Sequence, residues 1–199
     1  KKSDDDDSPV LEGYAALFDD EAQIGGDSWG FMESIAPGAF AESLKHDDIR
    51  AFFNHDSNIV LGRTKSGTLR LSVDSVGLRY DVSPPDTPIV RDQVLAPIAR
   101  GDVDGSSFMF RVTNQAWRDE VRDGKTVEVR EIRGVKLMEV GPVTIPAYEG
   151  STTGLRADDL AEARAAHAAF RAARGMDKTA QEAVKVRARA VEVAELESA

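Results

Sequence analysis

Residues 101–112 read GDVDGSSFMFRV, and this stretch decides the fold. A glycine-rich turn leads into an apolar run, which predicts a β-strand that starts beside two adjacent hydroxyl groups. Side chains alternate between the faces of a strand, so one face carries Ser106, Phe108, Phe110 and Val112, and the other carries Ser107, Met109 and Arg111. Ser107 therefore points away from the two anchoring Phe rings. A serine on a rigid strand is a candidate nucleophile, and it needs a nearby base.

Further strands are predicted where apolar residues alternate with polar ones or cluster between turn residues. They cover residues 10–18, 49–55, 68–73, 77–82, 126–132 and 134–145. The strand after Ser106 is expected to pair with residues 126–132 across a long polar loop that contains Trp117. The predicted fold class is mainly β with flanking helices, an α+β arrangement.

Two helices are predicted between these strands. A short one follows Pro37-Gly38 and buries Phe40. The other begins at the N-cap Thr87, with Pro88 at its first position, and ends at the C-cap Gly101. We expect Pro97 to kink or shorten this second helix.

Composition divides the chain into three parts. Residues 1–9 include four consecutive Asp and are predicted to be a disordered acidic tail. Residues 10–154 carry the predicted strands and form one β-rich domain. Residues 155–199 are dominated by Ala, Arg and Glu and predict a helical C-terminal extension, whose apolar content is too slight for a core of its own.

Charge and composition exclude several classes of function. The 199 residues carry a formal net charge of -10, which argues against nucleic acid as a partner because phosphate binding depends on Lys and Arg. With no Cys, the chain has neither a disulfide framework nor a thiolate nucleophile. No apolar run approaches the roughly 18 residues of a membrane span, and no signal peptide is recognisable. The expectation is a soluble intracellular protein without a membrane partner.

His55 is the best-placed candidate base among three histidines. His46 lies among Lys and Asp, and His167 lies in an Ala-rich helix, whereas His55 ends the strand of residues 49–55. Strand alternation places it in one row with Ile49, Ala51 and Phe53. A histidine at a strand end can equally be a structural residue, so its position matters only beside Ser107.

Glu139 is the candidate that would orient this base. Alternation places it on the face of Val135 and Leu137, so its carboxylate lies in a largely apolar run and needs a partner. That partner is either a histidine or one of the many Arg residues, unless Glu139 faces water at a sheet edge. Ser107, His55 and Glu139 would supply the nucleophile, base and orienting acid of a serine hydrolase.

Other chemistries lack their motifs. Asp102 and Asp104 resemble a fragment of a calcium loop, but the remaining ligands and the distal Glu are missing. There is neither a phosphate-binding P-loop nor a His-Glu-x-x-His pair. No cofactor and no metal are predicted.

Six motifs, in order, resemble the prohead (capsid maturation) proteases of tailed phages of the HK97 type. The resemblance runs from about Gly13 to Arg156. The motifs are Ile35-Ala-Pro-Gly-Ala-Phe40, Asn54-His-Asp56, Leu61-Gly-Arg-Thr64, Gly67-Thr-Leu-Arg-Leu71, Arg100-Gly-Asp-Val-Asp-Gly-Ser-Ser-Phe108 and Glu139-Val-Gly-Pro-Val-Thr-Ile-Pro-Ala-Tyr148. The sequence departs from the usual pattern at Ser106, where an apolar residue is common, and at Gly141, where Ser is frequent.

The resemblance implies a serine endopeptidase with a fold like that of the herpesvirus assembly proteases, a closed or nearly closed antiparallel β-barrel surrounded by helices. It makes His55 the base and Ser107 the nucleophile, and Glu139 is the best match for the third member. The implied partners are the major capsid protein with its scaffolding segment and a second copy of the chain, met in self-cleavage or in a homo-oligomer. The implied location is the host cytoplasm and the interior of the immature capsid.

Two other functions stay open at the level of sequence. The chain can be a catalytically inactive assembly or scaffolding factor that organises the capsid interior. It can also be a hydrolase of small esters, which would require a deep pocket rather than a groove for an extended peptide.

Overall fold

The computed structural model describes residues 9–18, 20–26, 29–145 and 160–175. The chain divides into two compact units, Lys1–Leu155 and Arg156–Ala199. Within the described ranges, no helix is long and apolar enough to cross a membrane.

Nine strands make up most of the described part of the first unit. They are β1 (Leu11–Leu17), β2 (Ala22–Gly26), β3 (Trp29–Ile35), β4 (Arg50–Phe53), β5 (Asp56–Arg63), β6 (Leu69–Val73), β7 (Gly77–Val82), β8 (Gly105–Arg122) and β9 (Lys125–Val143). Helix α1 (Ala41–His46) joins β3 to β4. A second helical segment between β7 and β8 consists of α2 (Pro88–Val90), a π-helical turn (Arg91–Leu95) and α3 (Ala96–Arg100).

The strands form two sheets. One has three antiparallel strands in the order β1-β7-β6. The other has six strands and is mixed: β9 is antiparallel to β8 but parallel to both β3 and β4, while β2, β5 and β8 form its outer strands. β3 and β4 lie one after the other along the same edge of β9 and run in the same direction, and α1 connects them.

The mainly β class with flanking helices is confirmed, but the closed antiparallel barrel is wrong. In the described residues, the two sheets do not close into a barrel. A side-chain contact, with Tyr80 Oη 2.9 Å from Ser106 Oγ, joins β7 of the three-stranded sheet to β8 of the other sheet. The six-stranded sheet is also not purely antiparallel, because β9 takes two parallel neighbours on one edge.

One hydrophobic core lies between the sheets and holds them together. Leu78 and Tyr80 of β7, Val140 of β9 and Phe40 before α1 are all at most 2% exposed and belong to it. Phe108 packs edge-on against Phe40, with ring centroids 5.9 Å apart. It also stacks on Phe110 at 4.8 Å, so the prediction that these two rings anchor one face of β8 is confirmed.

Helix α1 and the loop before it cover the gap between β3 and β4 along the edge of β9. There the N–H of Val135 donates to the carbonyl of Ala39 over 3.1 Å, and the N–H of Leu137 donates to Ser43 Oγ over 2.7 Å. Buried N–H groups without a partner are costly, so these two bonds allow β9 to stay extended without a strand beside it at this point.

The second helical segment has the predicted ends and a wider middle. Thr87 Oγ1 accepts a hydrogen bond from the N–H of Val90, and Gly101 ends α3 in the left-handed conformation with φ 79°. Pro97 has no N–H to donate one turn back, and its ring crowds the preceding turn. The chain responds with a π-helical turn, in which the N–H of Ala96 donates to the carbonyl of Arg91.

The predicted polar loop after residue 112 is instead a continuation of β8. The strand runs to Arg122 and turns at Asp123-Gly124, where both residues have positive φ, into β9. The polar side chains of residues 113–122 predict a loop, but in the structure polar side chains of this strand bond to neighbouring strands of the sheet. Gln115 of β8, for example, accepts a hydrogen bond at 2.5 Å from Nε of Arg130 on β9, whose side chain is 4% exposed.

The predicted termini are described only in part. Residues 160–175 form a helix, α4, within the predicted C-terminal extension. The acidic tail, apart from Pro9, and residues 176–199 lie outside the described residues. The boundaries predicted at residues 9 and 154 stay predictions.

Removing the Ser43 hydroxyl tests the closure of the β9 edge. We expect Ser43→Ala to lower the free energy of unfolding by about 1–3 kcal/mol, because the buried N–H of Leu137 loses its acceptor. Urea unfolding followed by circular dichroism measures this. The control is Ser66→Ala, at an exposed hydroxyl in a turn, which should change the stability by less than about 0.5 kcal/mol. Equal stability of the two variants would contradict the role of Ser43.

Candidate active site

His55 and Glu139 are in direct contact, although 84 positions separate them in the sequence. Nδ1 of the imidazole is hydrogen-bonded to Oε1 of the carboxylate. The Glu139 side chain is 3% exposed and that of His55 is 29% exposed. An ionised carboxylate only accepts hydrogen bonds, so the contact assigns the hydrogen to Nδ1 and leaves the lone pair on Nε2. This is the tautomer that a general base requires.

A β-bulge in β9 decides which way Glu139 faces. Glu139 pairs with Met109 on β8, but the next pair joins Leu137 to Phe110, so Met138 is an extra residue in β9. An extra residue reverses the alternation beyond it. Leu137 and Val140 therefore both face the core, and Glu139 faces the other side. The prediction that Glu139 shares a face with Leu137 is wrong for this reason.

His55 reaches Glu139 because β4 ends earlier than the sequence predicted. The strand stops at Phe53, and the next two residues, Asn54 and His55, have positive φ values of 51° and 59°. The predicted continuation of the buried row from Ala51 through Phe53 to His55 is therefore wrong. These two left-handed residues turn the histidine away from the buried row and bring its ring to the carboxylate of Glu139.

Asn54 joins this turn to the end of β9. Its N–H donates to the carbonyl of Pro142 at 3.0 Å, and its side-chain Oδ1 accepts from the N–H of Thr144 at 2.8 Å. Thr144 Oγ1 lies 3.2 Å from the same oxygen. Asn tolerates the left-handed conformation better than most residues, so Asn54 is the residue in the sequence that indicates this turn.

Ser107 lies on the same face of the sheet as Glu139. It pairs with Gly141, two pairs further along from Met109 and Glu139, so Ser107 and Glu139 are diagonal neighbours. Diagonal neighbours on paired strands lie roughly 7–8 Å apart. Ser107 is 5% exposed. Within the described part of the chain, no hydrogen bond joins Ser107 to His55, and catalytic hydrogen bonds are often long before substrate binds.

Ser106 faces the opposite side, as alternation predicted. Its hydroxyl is bonded to Tyr80, whose buried phenol has a pKa raised above its ordinary value by desolvation. Ser106 also lines a cleft of about 150 Å³ together with Asp104 and Phe108. Pockets for small molecules usually measure about 300–1,000 Å³, so this cleft is small for a substrate site.

Gly141 allows β4 to lie close against β9. A Cβ atom at this position would be 1.9 Å from the carbonyl oxygen of Phe52. The close approach brings the chain after Phe52 within bonding distance of Pro142 and so holds the turn that carries His55. The sequence showed Gly141 as a departure from the family pattern, but it gave no sign of this backbone contact.

No group of three or more His, Asp or Glu residues that could hold a metal ion occurs among the residues described. The arrangement instead fits acid–base chemistry. A histidine held by a buried carboxylate, on the same sheet face as a serine, is the arrangement of a serine hydrolase. That the three residues act together in catalysis stays a prediction at this point.

Comparison with known families gives the same class. The profile of the family described as caudovirus prohead serine protease matches residues 1–165 of the chain. The chain belongs to this family, and it is a serine peptidase of phage capsid maturation. The family identified from the six sequence motifs is thereby confirmed. Comparisons with curated proteins and with solved structures gave no significant match. The relation to the herpesvirus proteases stays a prediction.

Adding a methyl group at Gly141 tests the close approach of β4 and β9. We expect Gly141→Ala to lower the free energy of unfolding by at least about 1–3 kcal/mol, because β4 must move away from β9. The same movement should reduce the rate at which the variant cleaves its substrate. The control is Gly38→Ala, since a Cβ there meets nothing within 4 Å. Thermal unfolding and cleavage assays measure both effects. Full activity of Gly141→Ala would show that His55 does not depend on this contact.

Proposed function

We propose that this chain is a serine endopeptidase that cleaves the scaffolding segment of the phage major capsid protein, and also itself, inside the immature capsid. The proposal gives Ser107 the role of nucleophile, His55 that of general base and Glu139 that of the group that orients the histidine. The family of prohead proteases supports the capsid protein as substrate.

The single observation that carries the catalytic assignment is the bond between His55 and Glu139 on the face that Ser107 occupies. A buried carboxylate needs a partner, and the chain contains 25 Lys and Arg residues that could have supplied one. Glu139 instead binds Nδ1 of His55. The other ring nitrogen of the histidine, Nε2, is then available to a neighbouring hydroxyl on this side of the sheet.

The mechanism follows from these positions. His55 Nε2 takes the proton of Ser107 Oγ while Oγ forms a bond to the scissile carbonyl carbon. The carboxylate of Glu139 holds the ring and stabilises the imidazolium that forms. The imidazolium then gives its proton to the leaving amine as the peptide C–N bond breaks. Water, activated by the same histidine, hydrolyses the acyl-enzyme and releases Ser107.

The adjacent hydroxyls of Ser106 and Ser107 provide a matched pair of variants. We expect Ser107→Ala to reduce cleavage at least about a thousandfold, because the nucleophile is lost. We expect Ser106→Ala to keep most of the activity, because its hydroxyl faces Tyr80 on the other side of the strand. Each variant is co-expressed with its capsid protein, and the masses of both proteins are followed by mass spectrometry.

Two outcomes of this experiment would contradict the proposal. If the capsid protein is cut equally by the parent and by Ser107→Ala, the nucleophile is assigned wrongly. If the capsid protein is cut neither by the parent chain nor by Ser107→Ala, while both promote assembly of the capsid shell, the chain acts as an inactive assembly factor. Self-cleavage is read from the same spectra, as fragments of the protease that disappear in Ser107→Ala.

A further inference from the structure

A row of charged residues crosses the sheet beside the candidate site. On β9, Glu139 pairs with Arg50 of β4, and Arg50 pairs in turn with Arg63 of β5. Residues paired across neighbouring strands face the same side of the sheet. Arg50 therefore starts from the strand next to Glu139 and on the same face, where a guanidinium could bind the carboxylate.

Such a contact would compete with His55. An Arg–carboxylate pair is a strong charge-assisted interaction, and it gains strength where water is excluded, as it is around the 3% exposed Glu139 side chain. Met109, the neighbour of Glu139 on β8, carries no charge. Arg111 and Lys136 pair with each other further along the same face, and both are exposed.

Arg50 is instead directed to Asp48, two residues before it. Its Nη1 donates to the backbone carbonyl of Asp48 at 3.2 Å, and its Nη2 lies 3.6 Å from the Asp48 carboxylate. Arg63 holds that carboxylate from the other side, with Nε 2.9 Å from each of its oxygens. The hydrogen bonds from Arg63 lower the pKa of Asp48 to about 2, so the Asp48 carboxylate is ionised at neutral pH.

We infer that Asp48 is a positioning residue, which holds the Arg50 side chain away from Glu139 and so keeps the Glu139 carboxylate available to His55. The inference rests on the proposed function of Glu139 and His55. Asp48 thereby affects the hydrogen bond of His55 through Arg50 and Glu139, rather than through a contact of its own with the histidine. Arg63 fixes Asp48, and Arg50 is the group that is restrained.

The test compares four variants in the full-length chain that carries Ser107→Ala, which prevents self-cleavage. The readout is the low-field proton NMR signal of the imidazole Nδ1–H, which is assigned by its loss in His55→Gln. We expect Asp48→Asn to weaken or remove this signal, because Arg50 then turns to Glu139. Arg50→Gln should keep the signal, and the double variant Asp48→Asn/Arg50→Gln should restore it. Arg91→Gln is the control, because it breaks an exposed ion pair with Asp86 that has no part in this row of charges.

The same substitutions with Ser107 intact give a second readout. Cleavage of the capsid protein should fall about tenfold or more in Asp48→Asn and return in the double variant, since the group that orients the histidine is restored. The Asp48 side chain is 33% exposed and its ion pairs lie at the surface, so the variant is expected to fold. Asp48→Ser repeats the experiment with a different short polar side chain.

Three results would overturn the inference. They are an unchanged Nδ1–H signal in both Asp48→Asn and Asp48→Ser, a signal lost equally in Arg91→Gln, and a double variant as impaired as Asp48→Asn alone. The NMR readout needs no activity. It therefore separates a failure of this inference from a failure of the proposed function, which would appear as a normal signal in a chain that cuts nothing.

Discussion

The pairing of β8 with β9 along almost their full length is the constraint on which the rest of the structure depends. It occupies one edge of β9 completely, so β3, α1 and β4 must share the other edge in sequence. The order of these elements along β9 fixes where β4 ends. As a consequence, the turn after β4 carries His55 to the same end of β9 that holds Glu139.

Burial of Glu139 makes the contact with His55 more than a local detail. A carboxylate taken out of water must recover the lost hydration through hydrogen bonds or opposite charge, and a lone unpaired one would be strongly destabilising. The protein satisfies it with a group that can be either neutral or charged. The stability of the folded state and the readiness of the imidazole for proton transfer are therefore linked through one bond, and a change at this bond should affect both.

Much of the fold could be predicted from the sequence, because strand alternation and helix caps are local. The ends of the second helical segment at Thr87 and Gly101, the short helix after Pro37-Gly38 and the opposite faces of Ser106 and Ser107 all follow from neighbouring residues. Of the three residues predicted to form a triad, His55 and Glu139 are in contact and Ser107 lies on the same face of the sheet as Glu139, while their joint role in catalysis stays a prediction.

What could not be predicted depends on partners that are distant in the sequence. The bulge at Met138 reverses the face of Glu139, and nothing in residues 134–143 announces it. The parallel pairing of β9 with β3 and β4 replaces the expected closed antiparallel barrel, although local patterns cannot distinguish the two. Strand alternation predicts the core face for both Glu139 and His55, and both side chains lie on the opposite face, where they meet.

The opposite orientation of the two neighbouring serines gives the strand register a chemical meaning. Ser106 and Ser107 differ by one position, and a shift of β8 by one residue against β9 could place Ser106 on the face of the sheet that Ser107 now shares with Glu139. Tyr80 works against such a slip, because it binds the hydroxyl that belongs on the core side. The hydrogen bond to Tyr80 therefore stabilises the observed register of β8, and with it the face on which Ser107 lies.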